Sequence, residues 1–480
     1  MSLEQVFDSL SKPVMQASPL IASISVKGLF GLYNYDLPAS GLFSNAAILY
    51  GDNGVGKSTL LRLVFHLLSP GPRNGHRQAL YDAEFDELSA ALANGVTVRA
   101  KRQLTRNRLA SGEHLKKLVL TVERDTAILA LWEFVPRNHR ADTTDYYYHD
   151  SDSGLVVRST KKSIADRYKI AGELIGEGPF LSKLSSFVPN IFILNADRRL
   201  DSDAVADPGD EVELRRFMRM DEPKRLNDIV TRSRQIALMQ ALSSASKWIS
   251  RKAIHSANRG SENVHTVYTN VIKQLTSANS SPLEDTDFTE LQNQLSGIEH
   301  KTNELSRYEL ATPLNTLELK KSLNARSKSK KRIAAELLVP YIESLHSRLA
   351  ALDPIYQLIE KFVTTINENY LRDKYITYKV SQGFSIYSAK NEPLDARHLS
   401  SGEQQLMLLF CYVLSGRDKP CVFMIDEPEI SLNVKWQRQL VQSLLDITKE
   451  SRIQFIFASH SMELLAQHRD RVVPMQSRAQ

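Results

Sequence analysis

The stretch AAILYGDNGVGKSTLLRLVFHLL, residues 46–68, decides the fold of this 480-residue chain. Its first five residues, Ala46–Tyr50, form an apolar run of the kind found in buried parallel strands. A glycine-rich loop follows, and apolar residues then recur every three to four positions up to the helix-stopping sequence SPGP at residues 69–72. A strand, a glycine-rich loop and a helix in this order predict an α/β fold with a mostly parallel sheet.

The loop GDNGVGKST, residues 51–59, has the spacing of a phosphate-binding loop. Glycines let consecutive backbone N–H groups curl around a phosphate, and the following helix points its positive end at the anion. Lys57 is predicted to reach the β- and γ-phosphates of a nucleotide, and Ser58 to place its hydroxyl on Mg²⁺. The alternative, a glycine-rich turn without a ligand, accounts less well for the strand before the loop and the helix after it. The predicted nucleotide-binding residues here are Gly51, Asn53, Gly54, Gly56, Lys57, Ser58 and Thr59.

Two adjacent acids, Asp426 and Glu427, follow the apolar run Val422–Ile425. Burying carboxylates without partners is costly, so two acids at the end of a buried strand require an explanation. Beside a phosphate loop, Asp426 is predicted to hold Mg²⁺ through water, and Glu427 to orient and deprotonate the attacking water. The alternative is a strand-end turn with solvated acids.

A second apolar run, Ile453–Ala458, is followed by Ser459 and His460. Ligands of open α/β sheets bind at the carboxyl ends of the strands, so this position favours a role at the site. We expect His460 to hydrogen-bond the γ-phosphate or the attacking water, and the predicted catalytic residues are Glu427 and His460. Without its context, the residue would be interpreted as a surface histidine.

The middle of the chain differs from its flanks. Between Gly209 and Gly383 glycine is scarce and apolar residues recur at helical spacing, whereas the flanks hold short apolar runs. Pro340 and Pro354 interrupt the longest helical pattern, which predicts a bent pair of helices rather than one rod. A hairpin is predicted from Tyr375 to Tyr387. The predicted domains are residues 19–200 and 373–480, which form the two parts of one α/β head, and residues 201–372, a helical, short coiled-coil-like insertion.

The segment LSSGEQQ, residues 399–405, precedes another helical pattern. By itself it is a helix cap. A phosphate loop, this segment, an acid pair on a strand and a strand-end histidine, in that order, resemble the ATP-binding-cassette (ABC) ATPases, including their SMC-like branch. The resemblance implies an ABC-type P-loop ATPase head whose Walker B acids are Asp426 and Glu427. It also implies a dimer with composite sites, in which Ser401, Gly402 and Glu403 contact ATP held by the other protomer.

A narrower resemblance extends over most of the chain. Gly28–Gly31 with the following tyrosines, LSSGEQQ, and IDEPEISLN at residues 425–433 are similar to the ATPase subunits of bacterial anti-phage systems, namely Septu, related retrons and PARIS. Their relatives, the overcoming-lysogenization-defect nucleases, carry a TOPRIM domain after the histidine. Here 20 residues follow His460, and they are predicted to form a helix at Met462–Gln467 and a strand at Val472–Met475. We therefore expect a separate effector, either an HNH-type nuclease or a TOPRIM-type toxin.

Composition restricts the remaining choices. The chain is 42% hydrophobic and 24% charged, has two cysteines, and contains no apolar run of membrane-spanning length. We expect a cytoplasmic protein without a membrane partner. A net charge of +6 does not by itself imply nucleic acid, but basic clusters at Arg99–Arg108 and Arg326–Arg332 leave an SMC-like, ATP-dependent DNA-binding clamp of repair type as the alternative function.

Other interpretations stay open. A transporter ATPase is disfavoured by the long insertion. Septu-like and PARIS-like systems share the same ATPase motifs, so the sequence does not determine which of the two systems applies. It also leaves the effector, the trigger and the oligomer size beyond a dimer undetermined. Phe30, Tyr33 and Tyr35 could stack on adenine or pack in the core, and Arg198 or Arg199 could sense phosphate or form a salt bridge.

Overall fold

The computed structural model describes residues 19–72, 74–108, 114–136, 146–149, 156–159, 168–195, 200–202, 235–258, 288–324, 326–430 and 432–477. The chain divides into two units. The first unit combines both ends of the chain, residues 1–234 and 416–480, and the second consists of residues 235–415.

The strands of the described residues are β1 (Ile21–Leu29), β2 (Tyr33–Leu37), β3 (Ala46–Tyr50), β4 (Glu87–Leu92), β5 (Val96–Arg108), β6 (His114–Arg124), β7 (Ala127–Phe134), β8 (Tyr146–His149), β9 (Val156–Ser159), β10 (Asn190–Leu194), β11 (Leu200–Asp201), β12 (Lys374–Lys379), β13 (Gly383–Ser388), β14 (Pro393–Leu394), β15 (Cys421–Asp426), β16 (Ile453–Ser459) and β17 (Val472–Pro474). The α-helices are α1 (Lys57–Leu68), α2 (His76–Asp82), α3 (Glu177–Phe187), α4 (235–258), α5 (Phe288–Ser306), α6 (Leu317–Leu323), α7 (Lys328–Asn369), α8 (Ser401–Ser415), α9 (Val434–Ile447) and α10 (Met462–Gln467).

A six-stranded sheet with the order β11-β10-β15-β16-β3-β17 forms the centre of the first unit. All its pairings are parallel except the short β10–β11 pair. Every residue of β15 and β16 is buried, as expected for parallel strands covered on both faces. The predicted mostly parallel sheet and its strands are confirmed, as are the short helix and last strand after His460.

A second six-stranded sheet of the first unit, with the order β2-β1-β4-β5-β6-β7, is antiparallel and was not predicted. Its apolar face joins one hydrophobic core with α1 and the parallel sheet. Charged residues alternate with apolar ones along β5, so the segment was interpreted only as a basic cluster. Two arginines of this basic cluster, Arg99 and Arg102, have partners within the protein. Arg99 pairs with Glu87 and Glu123, and the Arg102 guanidinium donates to the carbonyls of Leu80, Tyr81 and Ala83.

The second unit is largely helical and carries the sheet β12-β13-β14. The predicted hairpin is confirmed as β12–β13. The prediction of two helices separated at the prolines was wrong, because α7 runs as one helix of 42 residues with Pro340 and Pro354 inside it. Each proline removes one N–H donor, but a buried apolar stripe continues on both sides of it, so packing outweighs the lost hydrogen bond. The predicted domain boundaries differ from those of the two units and remain a prediction.

Candidate functional site

The loop between β3 and α1 has the backbone conformation that its glycines allow. Gly54 and Gly56 have φ angles of 88° and 91°, a region that side chains disfavour. A Cβ atom at Gly56 would lie 2.8 Å from Leu29 Cδ2, so the loop also needs a glycine there for space. Among the residues that the structure describes, apart from Gly54 and its two chain neighbours, none has an atom within 4 Å of the position that a Cβ at Gly54 would take. This curled backbone before a helix N-terminus is the geometry that binds phosphate.

Lys57, the first residue of α1, is folded back over the loop. Its ammonium group donates to the carbonyls of Gly51 at 2.6 Å and Asp52 at 3.0 Å, and the residue is buried. The positive charge is therefore held at the loop itself. An anion bound by the loop would lie against a cation that the structure has already desolvated, which strengthens their attraction.

Ser58 and Asp426 meet at the end of β15. Ser58 Oγ donates to Asp426 Oδ1 at 2.7 Å. Burial raises the pKa of the Asp426 carboxyl above its ordinary value, and the hydrogen bond from Ser58 opposes that shift. A hydroxyl and a carboxylate oxygen side by side fit Mg²⁺, which prefers oxygen ligands, so these residues could hold the ion. The sequence predicted both residues for this role.

Glu427 occupies a strained position next to Asp426. Its φ angle is 51°, and its N–H donates to the Ala458 carbonyl at 2.9 Å, which fixes the backbone against β16. Burial raises the pKa of its carboxyl, and the negative charge of Glu429 acts in the same direction. A carboxylate with a raised pKa binds a proton more readily than an ordinary one, as a general base must.

His460 lies in the loop after β16 and points its Nδ1 at the acids. Nδ1 is 2.7 Å from Glu427 Oε2 and 3.3 Å from Glu429 Oε1. About half of the His460 side chain is exposed. An Nδ1–H that donates to Glu427 leaves Nε2 on the opposite edge of the ring. The structure thus brings the two predicted catalytic residues, His460 and Glu427, into contact, and the sequence did not indicate this contact.

The three aromatic residues near the loop have different positions. Tyr35 is buried, and its hydroxyl donates to the Val55 carbonyl inside the phosphate loop at 3.0 Å. Burial raises the pKa of Tyr35 to about 12, so the hydroxyl keeps its proton. Tyr33 stacks on Tyr35, whereas Phe30 is 38% exposed and close to Gly56. The hydroxyl of Tyr35 therefore contacts the phosphate loop, and no sequence pattern indicated this hydrogen bond. Of the three rings, that of Phe30 is exposed.

The LSSGEQQ segment at residues 399–405, here called the signature segment, belongs to the second unit. Ser401 is exposed at the first residue of α8, and Gly402 is buried. Glu403 accepts from the Ser400 N–H at 2.6 Å and from Lys374 Nζ at 2.8 Å, while Ser400 Oγ accepts from the Glu403 N–H. Ser400 and Glu403 therefore form a capping box, so the carboxylate of Glu403 already has structural partners.

Two further parts of the sequence have simpler outcomes. Asn433, the last residue of IDEPEISLN, caps α9 by accepting from the Trp436 N–H at 3.0 Å. Arg198 and Arg199 lie outside the described residues. In the described part of the chain, no helix has both the length and the apolar character needed to cross a bilayer.

The chain matches the family model described as "AAA domain, putative AbiEii toxin, Type IV TA system" over residues 242–466. That range contains the signature segment, the acid pair and His460, but not the phosphate loop. The molybdenum import ATP-binding protein ModC of Haemophilus influenzae is 34% identical over 79 residues, which are 16% of this chain and 22% of ModC. The aligned part thus spans about a fifth of that relative.

Two solved structures are also similar. One is the Smc head domain with an extended coiled coil bound to the C-terminal domain of ScpA from Pyrococcus furiosus, at 14% identity over 96% of this chain and 94% of that chain, with a TM-score of 0.32. The other is the Smc head domain with a coiled coil and joint from Pyrococcus yayanosii, at 14% identity over 96% and 95%, with a TM-score of 0.33. TM-scores this low carry no conclusion about a shared arrangement. The matched family model is described as an AAA domain and the curated relative as an ATP-binding protein, and both matches are consistent with the phosphate-binding geometry of the loop.

Proposed function

We propose that this chain binds and hydrolyses Mg²⁺-ATP as the ATPase subunit of a bacterial anti-phage defence system. In this proposal two copies dimerise head to head around ATP, and the nucleotide state controls a separate effector, a nuclease or a toxin. The observation that carries the ATPase part is the convergence of the Ser58–Asp426 and Glu427–His460 contacts at the carboxyl ends of β15 and β16, beside the phosphate loop.

Each residue has a role that its geometry supports. Backbone N–H groups of the loop and Lys57 bind the phosphates and neutralise their charge. Ser58 and Asp426 hold Mg²⁺, which supplies further positive charge against the β- and γ-phosphates. Glu427 orients the attacking water and accepts its proton, and the Nδ1–H of His460 keeps the Glu427 carboxylate in place.

The defence part of the proposal rests on the motifs and on the family description. Gly28–Gly31, LSSGEQQ and IDEPEISLN are similar to the ATPase subunits of anti-phage systems. The description of the matched family names a putative toxin of a Type IV TA system, and the match contains two of these motifs. A chain of this kind is expected to act with a second component.

The DNA-clamp alternative depends on the basic clusters. In the first cluster, Arg99 and Arg102 are engaged by acids and by backbone carbonyls, which leaves less charge for phosphate contacts. The second cluster contains Arg326 and Lys330, which are exposed. No observation favours the alternative over the proposed function, and the experiments below separate the two.

Hydrolysis is tested by phosphate release from Mg²⁺-ATP. The wild-type protein is expected to turn over, and Glu427→Gln to lose roughly 10²–10⁴-fold in kcat, the usual contribution of a general base. The matched control is Glu173→Gln, an exposed glutamate of the same unit, which should keep wild-type turnover. An equally active Glu427→Gln protein would exclude the assigned base.

The effector is tested by pull-down of Glu427→Gln with Mg²⁺-ATP after expression with the native neighbouring genes, because a stalled ATPase keeps the ATP-bound partners together. Stoichiometric recovery of a nuclease or toxin would support the defence function. DNA recovered without a protein partner, with an affinity that falls steeply with salt, would replace it by the repair-type clamp.

A further inference from the structure

Glu429 lies three residues beyond Asp426, in the loop that joins β15 to α9. Its carboxylate is buried, and one oxygen, Oε1, accepts three hydrogen bonds. The donors are Ser459 Oγ at 2.7 Å, the His460 N–H at 2.9 Å and the Ser461 N–H at 3.1 Å. One carboxylate oxygen therefore holds three consecutive residues of the loop after β16.

The held segment contains the histidine of the site. His460 Nδ1 lies 3.3 Å from the same Glu429 oxygen and 2.7 Å from Glu427 Oε2. Glu429 therefore contacts both the backbone N–H and the imidazole ring of His460. Beyond it, Ser461 Oγ donates to Gln437 Oε1 at 2.7 Å and accepts from the Leu464 N–H, which continues the connection into α9 and α10.

The other oxygen, Oε2, is buried and finds no hydrogen-bond partner among the residues the structure describes. A buried carboxylate with one unbonded oxygen costs stability. All three donors to Oε1 come from the histidine segment, and the residue takes part in no ion pair with a lysine or arginine among the described side chains. These partners indicate that the Glu429 carboxylate holds residues 459–461 in place.

We propose that Glu429 is a positioning residue for ATP hydrolysis, whose carboxylate fixes the backbone at His460 and Ser461 so that the imidazole stays on Glu427. This inference rests on the proposed function. In this role Glu429 acts on the rate through His460, because its hydrogen bonds hold Ser459, His460 and Ser461. ATP binding by the phosphate loop does not depend on it.

The inference is tested with Glu429→Ala and Glu429→Gln in the full-length chain, with Glu173→Ala as the control. A glutamine oxygen can accept the same three hydrogen bonds, whereas alanine removes them. We expect Glu429→Ala to lower kcat about tenfold or more with KM for ATP within about threefold, and Glu429→Gln to restore most of the loss. A rise in KM at unchanged kcat, or equal losses in both variants, would overturn the proposal.

Two further measurements separate positioning from general damage. When Glu429→Ala is added to His460→Ala, kcat should fall by less than about twofold relative to His460→Ala alone, since both changes remove the same interaction. Independent losses that multiply would contradict this.

Hydrogen exchange provides a readout that needs no catalysis. The amides of residues 460 and 461 should exchange faster in Glu429→Ala than in wild type, and close to the wild-type rate in Glu429→Gln. Unchanged exchange in Glu429→Ala would overturn the positioning role. A wild-type protein without ATPase activity would refute the proposed function, and the exchange rates would still report whether Glu429 holds this segment.

Discussion

Ser58 Oγ lies 2.7 Å from Asp426 Oδ1, although 368 residues separate them in the sequence. The contact exists because β3 and β15 both pair with β16 in parallel, so the phosphate loop and the acid pair leave the sheet at the same edge. The two oxygen atoms form the pair that Mg²⁺ would bind, between the phosphate loop and the glutamate predicted to act on water.

Lys57→Ala should abolish measurable ATP binding. The ammonium group of Lys57 is expected to donate charge-assisted hydrogen bonds to the phosphates of ATP. Losing two such bonds would lower the affinity for ATP by roughly 100-fold or more. Isothermal titration calorimetry measures the affinity, and Lys101→Ala, which changes an exposed lysine of the same unit, serves as the control. Glu427→Gln should still bind ATP, and an equal loss in both variants would contradict the separate roles of the two residues.

Ser401→Arg should leave ATP binding intact and abolish hydrolysis. Ser401 is exposed at the N-terminus of α8, where a dimer would present it to ATP held by the other protomer. An arginine adds bulk and charge at that surface, which in a composite site would face the ATP of the other protomer. Binding and turnover measured on the same preparation test this, and normal turnover would mean that the sites are not composite.

Tyr35→Phe should weaken ATP binding without unfolding the protein. The change removes the hydrogen bond from the tyrosine hydroxyl to the Val55 carbonyl and leaves the ring in place. A lost hydrogen bond of about 1 kcal/mol corresponds to roughly fivefold lower affinity if the loop loses its conformation. Tyr33→Phe, in the stacked neighbouring ring, is the control. Equal affinities for Tyr35→Phe and wild type would show that the loop holds its shape without the hydroxyl.

Gln454→Leu should destabilise the first unit by about 2–4 kcal/mol, because it leaves buried backbone groups without partners. The amide of Gln454, a buried residue of β16, accepts from the N–H groups of Leu20 and Ile21 and donates to the carbonyls of Ile21 and Ser44. Urea denaturation followed by circular dichroism measures the loss. Gln442→Ala, on the exposed side of α9, should change stability by about 0.5 kcal/mol or less. A Gln454→Leu protein as stable as this control would show that these four hydrogen bonds do not stabilise the first unit.

Local patterns were sufficient for the elements that carry the site. The strand and helix around the phosphate loop, the two buried strands before Asp426 and His460, and the hairpin at β12–β13 were all predicted, because each is encoded by contiguous residues. The antiparallel sheet was missed, since charges on the exposed faces of its strands hid the alternation in β5. The continuity of α7 through two prolines was missed because buried packing, which a sequence window does not show, outweighs the local cost.

The sequence by itself determined that this chain has a phosphate loop, an acid pair and a histidine at strand ends, because the chemistry of phosphate binding requires particular residues at fixed local spacing. The tertiary structure alone decided which side chains support them. The hydroxyl of Tyr35 reaches Val55, and the carboxylate of Glu429 holds the backbone of His460, through contacts between residues about 20 to 30 positions apart. No local periodicity encodes such contacts, since they depend on how separate strands pair and on which loops that pairing brings together.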